Sequence, residues 1–225
     1  MRYFPVSLDL RDRKCLVAGA GEVGLRKIRR LLEAAPRDIL VVEPNPDAEL
    51  VALSGNREAL RIEERGFQPG DLDDRFLVIA STGDYGVNEN ISRLCRERNI
   101  LCNIVDRPEL CSFIVPALFR RGDLSFAVST GGASPALARR AKERLQDCFG
   151  PEYATLTRLL GGLRPMILEL ALDGETNKAI FHSLCEDEIL ESLQEGRRED
   201  LERMVRSRLP TQLHSEIGTV LDELI

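Results

Sequence analysis

Gly19-Ala20-Gly21-Glu22-Val23-Gly24 places three glycines at the GxGxxG spacing, a pattern suited to holding the diphosphate of a dinucleotide. The first glycine makes a tight turn, the second lets backbone approach a pyrophosphate, and the third lets a helix pack on a strand. By itself the spacing is a weak signal and also describes a glycine turn that binds nothing. Its context narrows the reading, because the apolar run Cys15 to Ala18 precedes it and an amphipathic stretch follows. Glu43 ends the next apolar run, roughly 20 residues on, where a carboxylate binds both hydroxyls of an adenosine ribose. That carboxylate repels a ribose 2′-phosphate, and Pro44, Asn45 and Pro46 supply no arginine to receive one. NAD is therefore expected over NADP, held by Gly19, Gly21, Glu22, Val23, Gly24, Glu43, Pro44 and, from a later loop, Thr82.

A second group of residues lies between Asn103 and Arg144. Asp106 falls just after a fifth apolar run, at the sheet edge where open α/β folds bind ligands. A carboxylate there can take a proton beside a hydride-accepting nicotinamide; the plainer alternative is an acid in a turn before Pro108. Ser129-Thr130-Gly131-Gly132-Ala133-Ser134 pairs small hydroxyl residues with two glycines ahead of a helix, a shape in which backbone amides can meet an anion. It can equally be an ordinary strand-to-helix turn. Arg120, Arg121, Arg139, Arg140, Lys142 and Arg144 stand against Asp123 and Glu143. This basic stretch points to an acidic ligand or to a solvated helix face. The expected substrate contacts are Asn103, Ser129, Thr130, Gly131, Gly132, Ser134 and Arg139, with Asp106 as the catalytic residue.

Other chemistries find less material. His182 and Cys185 stand three apart, but one pair cannot close a tetrahedral metal site. No histidine precedes His182, which excludes a Ser-His-Asp hydrolase from the first two thirds of the chain. The six cysteines form no close CxxC pair, and several sit in apolar runs as small buried hydrophobes.

The elements that position these residues follow from periodicity. Strands are expected at Cys15 to Ala18, Ile39 to Val42, Leu60 to Glu63, Phe76 to Ala80 and Leu101 to Val105. Gly24, Ile28, Leu31, Leu32 and Ala35 form the stripe of one helix, and Val87, Ile91, Leu94 and Cys95 that of another. Alternating strands and helices predict a Rossmann-type, doubly wound parallel sheet. Beyond it, Ser112 to Leu118 is an apolar segment broken by Pro116, and Leu124 to Ser129 reads as a strand. Ser134-Pro135 opens a helix to about Cys148. From Glu152 the pattern is all helical: Leu156, Leu159, Leu160, Leu163, Ile167 and Leu168 share a face, with kinks expected at Gly161-Gly162 and Pro165. Gly174 and Gly196 are expected helix ends, and Leu213, Ile217, Val220, Leu221 and Leu224 mark a last helix. The expected division is 1–112 for the NAD-binding domain, 113–150 for a small α+β dimerisation and substrate-binding segment, and 151–225 for a helical domain.

The 225 residues are 43% hydrophobic and 30% charged, the composition of a folded globular protein. A net charge of −6 speaks against general attraction to nucleic acid. No apolar run reaches the roughly 18 residues a membrane span needs, and no signal-peptide core follows Met1, so a cytoplasmic location is expected.

Taken together, Gly19 to Gly24 followed by Arg26-Lys27, Asn103-Ile104-Val105-Asp106, Ser112-Phe113-Ile114-Val115-Pro116-Ala117 and Ser129 to Arg139 resemble the siroheme synthase amino-terminal family of precorrin-2 dehydrogenases, some of which are also sirohydrochlorin ferrochelatases. The resemblance implies NAD-dependent oxidation of precorrin-2 to sirohydrochlorin, with Asp106 at the position of the family's catalytic aspartate. It further implies a polycarboxylate substrate for the basic stretch and an intertwined homodimer. Gly24 stands where the family often has alanine, Ser81-Thr82-Gly83-Asp84 replaces Ala-Thr-Asp-Asp, and Thr130 replaces a serine of some members. No uroporphyrinogen methyltransferase module is expected within these residues. Two alternatives stay open: a bifunctional enzyme that also inserts ferrous iron, and a non-catalytic NAD(H)-sensing module.

Overall fold

The computed structural model describes residues 3–55 and 57–222; the expected apolar position Leu224 lies outside the described residues. The chain divides into two compact units, Met1–Val115 and Pro116–Ile225.

In the first unit, strands β1 (Lys14–Ala18), β2 (Asp38–Val42), β3 (Leu60–Glu63), β4 (Leu77–Ala80) and β5 (Leu101–Ile104) alternate with helices α1 (Glu22–Glu33), α2 (Ala48–Gly55) and α3 (Tyr85–Glu97). All strand pairs are parallel, in the order β3-β2-β1-β4-β5. The inner strands β1, β2 and β4 read as near-continuous apolar runs because both faces of the sheet are covered there, whereas the edge strand β3, Leu60-Arg61-Ile62-Glu63, alternates. Cys15, Val17, Ile39, Val41, Leu77 and Ile79 pack with Leu25 and Ile28 of α1. The alternate residues Leu16, Leu40, Val78, Cys102 and Ile104 pack with Ile91 and Cys95 of α3. Helix α1 stops at Glu33, so Ala35 is not part of its stripe; it is exposed at φ 47° in the turn that follows. Helix α2 was not expected. It buries one side chain, Leu50, and Asp47 accepts the Leu50 N–H at 2.7 Å at its start, so it carries almost no apolar stripe to read.

The amino-terminal edge of this sheet is closed by charge. Arg75, with 8% of its side chain exposed, pairs with Asp38, 15% exposed. It also donates to the carbonyls of Cys15 at 3.2 Å and Asp71 at 3.1 Å. Asp38 accepts from Arg61 as well, and Asp71 accepts from Arg65 through both oxygens and from the Gln68 N–H. Burial pushes both carboxyls up, but the guanidinium hydrogen bonds outweigh it and hold them below the usual aspartate value.

The second unit opens with a hairpin of β6 (Ala117–Arg121) and β7 (Leu124–Val128). Its two-residue loop begins with Gly122 at φ 58°, the backbone such loops demand. Of the expected apolar segment Ser112 to Leu118, only Ala117 and Leu118 enter a strand, which begins after Pro116 and runs on through Arg120 and Arg121. Helix α4 (Pro135–Cys148) follows, with the Ser134 hydroxyl accepting from the Leu137 N–H at 3.2 Å. Helices α5 (Glu152–Glu169), α6 (Gly174–Ser183), α7 (Asp187–Gln194), α8 (Arg198–Arg208) and α9 (Ile217–Asp222) complete it. Leu156, Leu159, Leu163 and Ile167 of α5 form a core with Leu184, Ile189, Leu201, Val205 and Leu221. Leu168 departs from the expected face and is 49% exposed. Helix α5 is a single element that contains Pro165 and both glycines. Gly174 opens α6 behind the Asp173 cap rather than ending a helix, whereas Gly196, at φ 66°, does end α7. Among the described residues no helix is long and apolar enough to cross a membrane.

Candidate active site

Register places the functional loops. Ala18 pairs with Val42 and with Ala80, and Ala80 pairs with Ile104, so β1, β2, β4 and β5 end at one level. The loops that follow, carrying Gly19 to Gly24, Glu43, Ser81 to Asp84 and Asp106, emerge along one sheet edge. From β1 the chain runs to β2 and β3 on one side and then crosses over from β3 to β4 on the other side of β1, and this reversal opens the crevice where such folds bind ligands.

Two glycines are obligatory there. Gly19 has φ 86°, and a Cβ on it would lie 2.7 Å from the backbone of Ser81 and Thr82. A Cβ on Gly24 would lie 2.3 Å from the Gly19 carbonyl oxygen, so even alanine has no room there unless the loop shifts. A Cβ on Gly21 would meet nothing within 4 Å, which leaves the loop open on the side a diphosphate approaches. Gly21 caps α1 and brings no side chain to the first-turn amides, and none of the described side chains bonds to them. Unsatisfied amides at the positive end of a helix fit a phosphate. Glu43 turns toward this loop: one oxygen accepts the Ala20 N–H at 2.7 Å and the other the Asn45 N–H at 3.0 Å. The acid is thereby held at the crevice, and Pro44 beside it is exposed. These residues fit a dinucleotide.

The β4 loop holds the first glycine from the other side. The Ser81 hydroxyl donates to the Gly19 carbonyl at 2.7 Å, a contact that sequence reasoning missed because nothing local to Ser81 indicates it. Thr82 donates to the Asn88 side-chain oxygen at 2.8 Å and so organises the start of α3.

Asp106 is exposed and has φ 60°. It is the third residue of a turn closed by Arg107 N–H to Ile104 carbonyl at 3.4 Å, a position that normally takes glycine or asparagine. Together with Val23, Arg26, Lys27, Asn103 and Arg107 it lines a cleft of about 240 Å³. Asn103 is buried and donates to the Phe113 carbonyl at 3.0 Å, which ties the motif ending at Asp106 to the one beginning at Ser112. Lys27 was not singled out by role. Burial pushes its pKa down, Arg26 adds to that, and Cys111 and Asp106 oppose it. Its signal in the sequence was a lysine four residues after Val23 on the inward side of α1.

The remaining predicted residues belong to the second unit. In the Ser129 loop, the Ser129 hydroxyl accepts the Gly131 N–H at 3.1 Å, the Thr130 hydroxyl accepts the Ser134 N–H at 3.0 Å, and the Thr130 carbonyl accepts the Ala133 N–H. Gly131 and Gly132 have φ 65° and 92°. Several amides of the loop are thus already bonded within it. Arg139 pairs with Glu143 at 3.0 Å, Arg120 with Asp123 at 3.7 Å, and Arg121 donates to the carbonyls of Gln146 and Phe149. Among the described residues, Arg140, Lys142 and Arg144 make no ion pair. His182 lies on α6 and Cys185 beyond its end; no group of three or more potential metal ligands occurs among the described residues.

Fold, glycine loop and edge carboxylates define a Rossmann-type dinucleotide-binding module. An NAD(P)-binding family model matches residues 6–117, and the sirohaem biosynthesis protein central model matches 121–147. Siroheme synthase of Thioalkalivibrio sulfidiphilus is 41% identical over 216 residues, which is 94% of this chain and 44% of that protein. Siroheme synthase of Methylococcus capsulatus is 36% identical over 205 residues, 91% and 43% respectively. The chain therefore spans less than half the length of these curated relatives. The solved structure of SirC, a precorrin-2 dehydrogenase, superposes with a TM-score of 0.74 at 30% identity, covering 90% of this chain and 98% of that one. The chain belongs to the siroheme synthase amino-terminal family.

Proposed function

We propose that this chain oxidises precorrin-2 to sirohydrochlorin in siroheme biosynthesis, with NAD as acceptor and Asp106 as the proton-accepting group. The observation that carries the reading is Asp106, set in a strained turn at the carboxyl edge of the sheet, in one cleft with Val23 of the glycine loop and Lys27. Bound NAD supplies the hydride acceptor. The oxidation removes two hydrogens from the macrocycle: one leaves as hydride and the other as a proton. Asp106, exposed on the cleft, takes that proton. Gly19 to Gly24 and the uncapped start of α1 hold the diphosphate, with Glu43 on the ribose, Pro44 beside it, and Thr82 keeping the neighbouring loop in shape. Lys27 and Arg26 offer cations to the substrate carboxylates. Asn103, Ser129, Thr130, Gly131, Gly132, Ser134 and Arg139 are the proposed further substrate contacts. The chain acts in the cytoplasm as a homodimer, with 113–150 as the dimerisation and substrate-binding segment, between the NAD-binding domain at 1–112 and the helical domain at 151–225.

Anaerobic absorbance of the protein with precorrin-2 and NAD tests this. NADH should appear in step with sirohydrochlorin, one for one; NADH binding without turnover would replace the enzyme by a sensor of the NAD redox state. Lys27→Met should raise the KM for precorrin-2 about tenfold, equivalent to about 1.4 kcal/mol of lost attraction, with a smaller effect on kcat. An unchanged KM would remove Lys27 from the substrate site.

A further inference from the structure

We propose that Cys111 is a positioning residue for Asp106, its thiol clamping the turn that presents the carboxylate to the cleft. The inference rests on Asp106 being the proton acceptor of the proposed reaction. Strand pairing ends one residue before Asp106, at the bond from Val105 N–H to the Ala80 carbonyl. The turn's own closing bond is long, at 3.4 Å, and Asp106 occupies a left-handed conformation that persists only when its surroundings impose it. Cys111 supplies those surroundings. Its sulfur accepts the Ile104 N–H at 3.1 Å and approaches the Asn103 side-chain nitrogen at 3.6 Å. Its proton is shared between the carbonyls of Ile104 at 3.2 Å and Arg107 at 3.3 Å. Ile104 and Arg107 are the two ends of the turn, so one side chain spans it from both sides.

The clamp is itself anchored. Ser112, the next residue, is bonded to β5 three times: its N–H donates to the Cys102 carbonyl at 2.9 Å, and its hydroxyl accepts the Cys102 N–H at 2.8 Å and donates to the Cys102 carbonyl at 3.3 Å. Cys111 is therefore fixed to the strand that ends at Ile104 and transmits that fixed position to the turn. A sulfur suits the task because its large radius and long bond to carbon allow several weak contacts of 3.1 to 3.6 Å at once.

The test compares Cys111→Ala and Cys111→Ser, in wild type and in Asp106→Asn, for turnover of precorrin-2 and for NADH affinity. Cys111→Ala should lower kcat about 10- to 100-fold, the order of loss expected when a reacting group is misplaced by about an ångström, with the NADH Kd unchanged. Cys111→Ser keeps a donor and acceptor and should recover most of the rate. In Asp106→Asn, adding Cys111→Ala should lower the residual rate no further, because the thiol acts only through that carboxylate. Wild-type kcat in Cys111→Ala overturns the proposal, and so does a loss of NADH binding that parallels the loss of turnover. If Cys111→Ala does not fold, Cys111→Ser decides: a protected Ile104 amide in hydrogen exchange with a retained rate supports the clamp, and a retained rate with that amide exposed overturns it. An active Asp106→Asn single variant would instead remove the proton-acceptor reading, a separate result from any obtained at Cys111.

Discussion

Asp106→Asn is expected to lower precorrin-2 turnover by about 10²- to 10⁴-fold, the usual contribution of a general base, while NADH binding stays at the wild-type level. The substitution keeps the size of the side chain and its tolerance of positive φ, so the turn at φ 60° should survive it, with stability changed by less than about 0.5 kcal/mol. Asp106→Gly sharpens the contrast. A non-glycine residue in the left-handed region costs roughly 1–2 kcal/mol, and relieving it offsets the added freedom of glycine in the unfolded chain. The glycine variant should be as stable as wild type, or more stable by up to about 1 kcal/mol, and inactive. Urea unfolding and anaerobic turnover on the same preparations check both. Turnover retained within threefold in either variant would remove Asp106 from the chemistry and leave its strained backbone without a functional reason.

Arg75→Ala is expected to destabilise the chain by about 3–5 kcal/mol, the cost of removing one partner of a buried ion pair. The guanidinium meets Asp38 and the carbonyls of Cys15 and Asp71, so its loss leaves a carboxylate that is 15% exposed with only the more exposed Arg61 beside it. The pH dependence has a definite sign. Asp38 and Asp71 are both held below the ordinary aspartate value in the folded chain. Their contribution is therefore complete above about 3.9, the unfolded value, and is lost as pH falls through the folded values. Without Arg75 the burial of Asp38 acts with less opposition, its pKa rises, and acid unfolding should begin at higher pH than in wild type. Circular dichroism during acid titration, with urea melts at neutral pH, measures both effects. A loss below about 1 kcal/mol would show that Arg61 alone satisfies Asp38.

How much could be read in advance depended on whether a residue's role is local. Strands β1, β2 and β4 were legible because a sheet covered on both faces demands apolar runs, here of four residues each; β5 was legible from a run interrupted only by Asn103, and the edge strand β3 from the alternation of Leu60 and Ile62 with Arg61 and Glu63. Helices α1 and α3 were legible from their stripes, and α4 from Ser134-Pro135. Helix α2 was not, since it buries only Leu50. The first hairpin strand was not legible as one, because Pro116 breaks the apolar segment that leads into it and Arg120 and Arg121 look like surface charge. Leu168 fits a stripe in sequence yet points outward, because the periodicity of α5 does not say how wide a face the other helices cover. At the site, Gly19, Gly21, Gly24, Glu43 and Asp106 announced themselves by spacing from strand ends. Ser81, Lys27 and Cys111 did not, because each matters through partners elsewhere in the chain: Ser81 through Gly19, 62 residues away, Lys27 through the cleft, and Cys111 through the Ile104–Arg107 turn.

The amino-acid sequence alone therefore determined the five strands in order, helices α1, α3 and α4, the glycine loop and the acids Glu43 and Asp106 that follow their strands, because these depend on residue type and short spacing. Tertiary structure decided which strand ends share one level, that Asp106 adopts a left-handed conformation, and that one thiol braces it. Those features arise from strand register and from hydrogen bonds between separate segments, and no local pattern encodes either one.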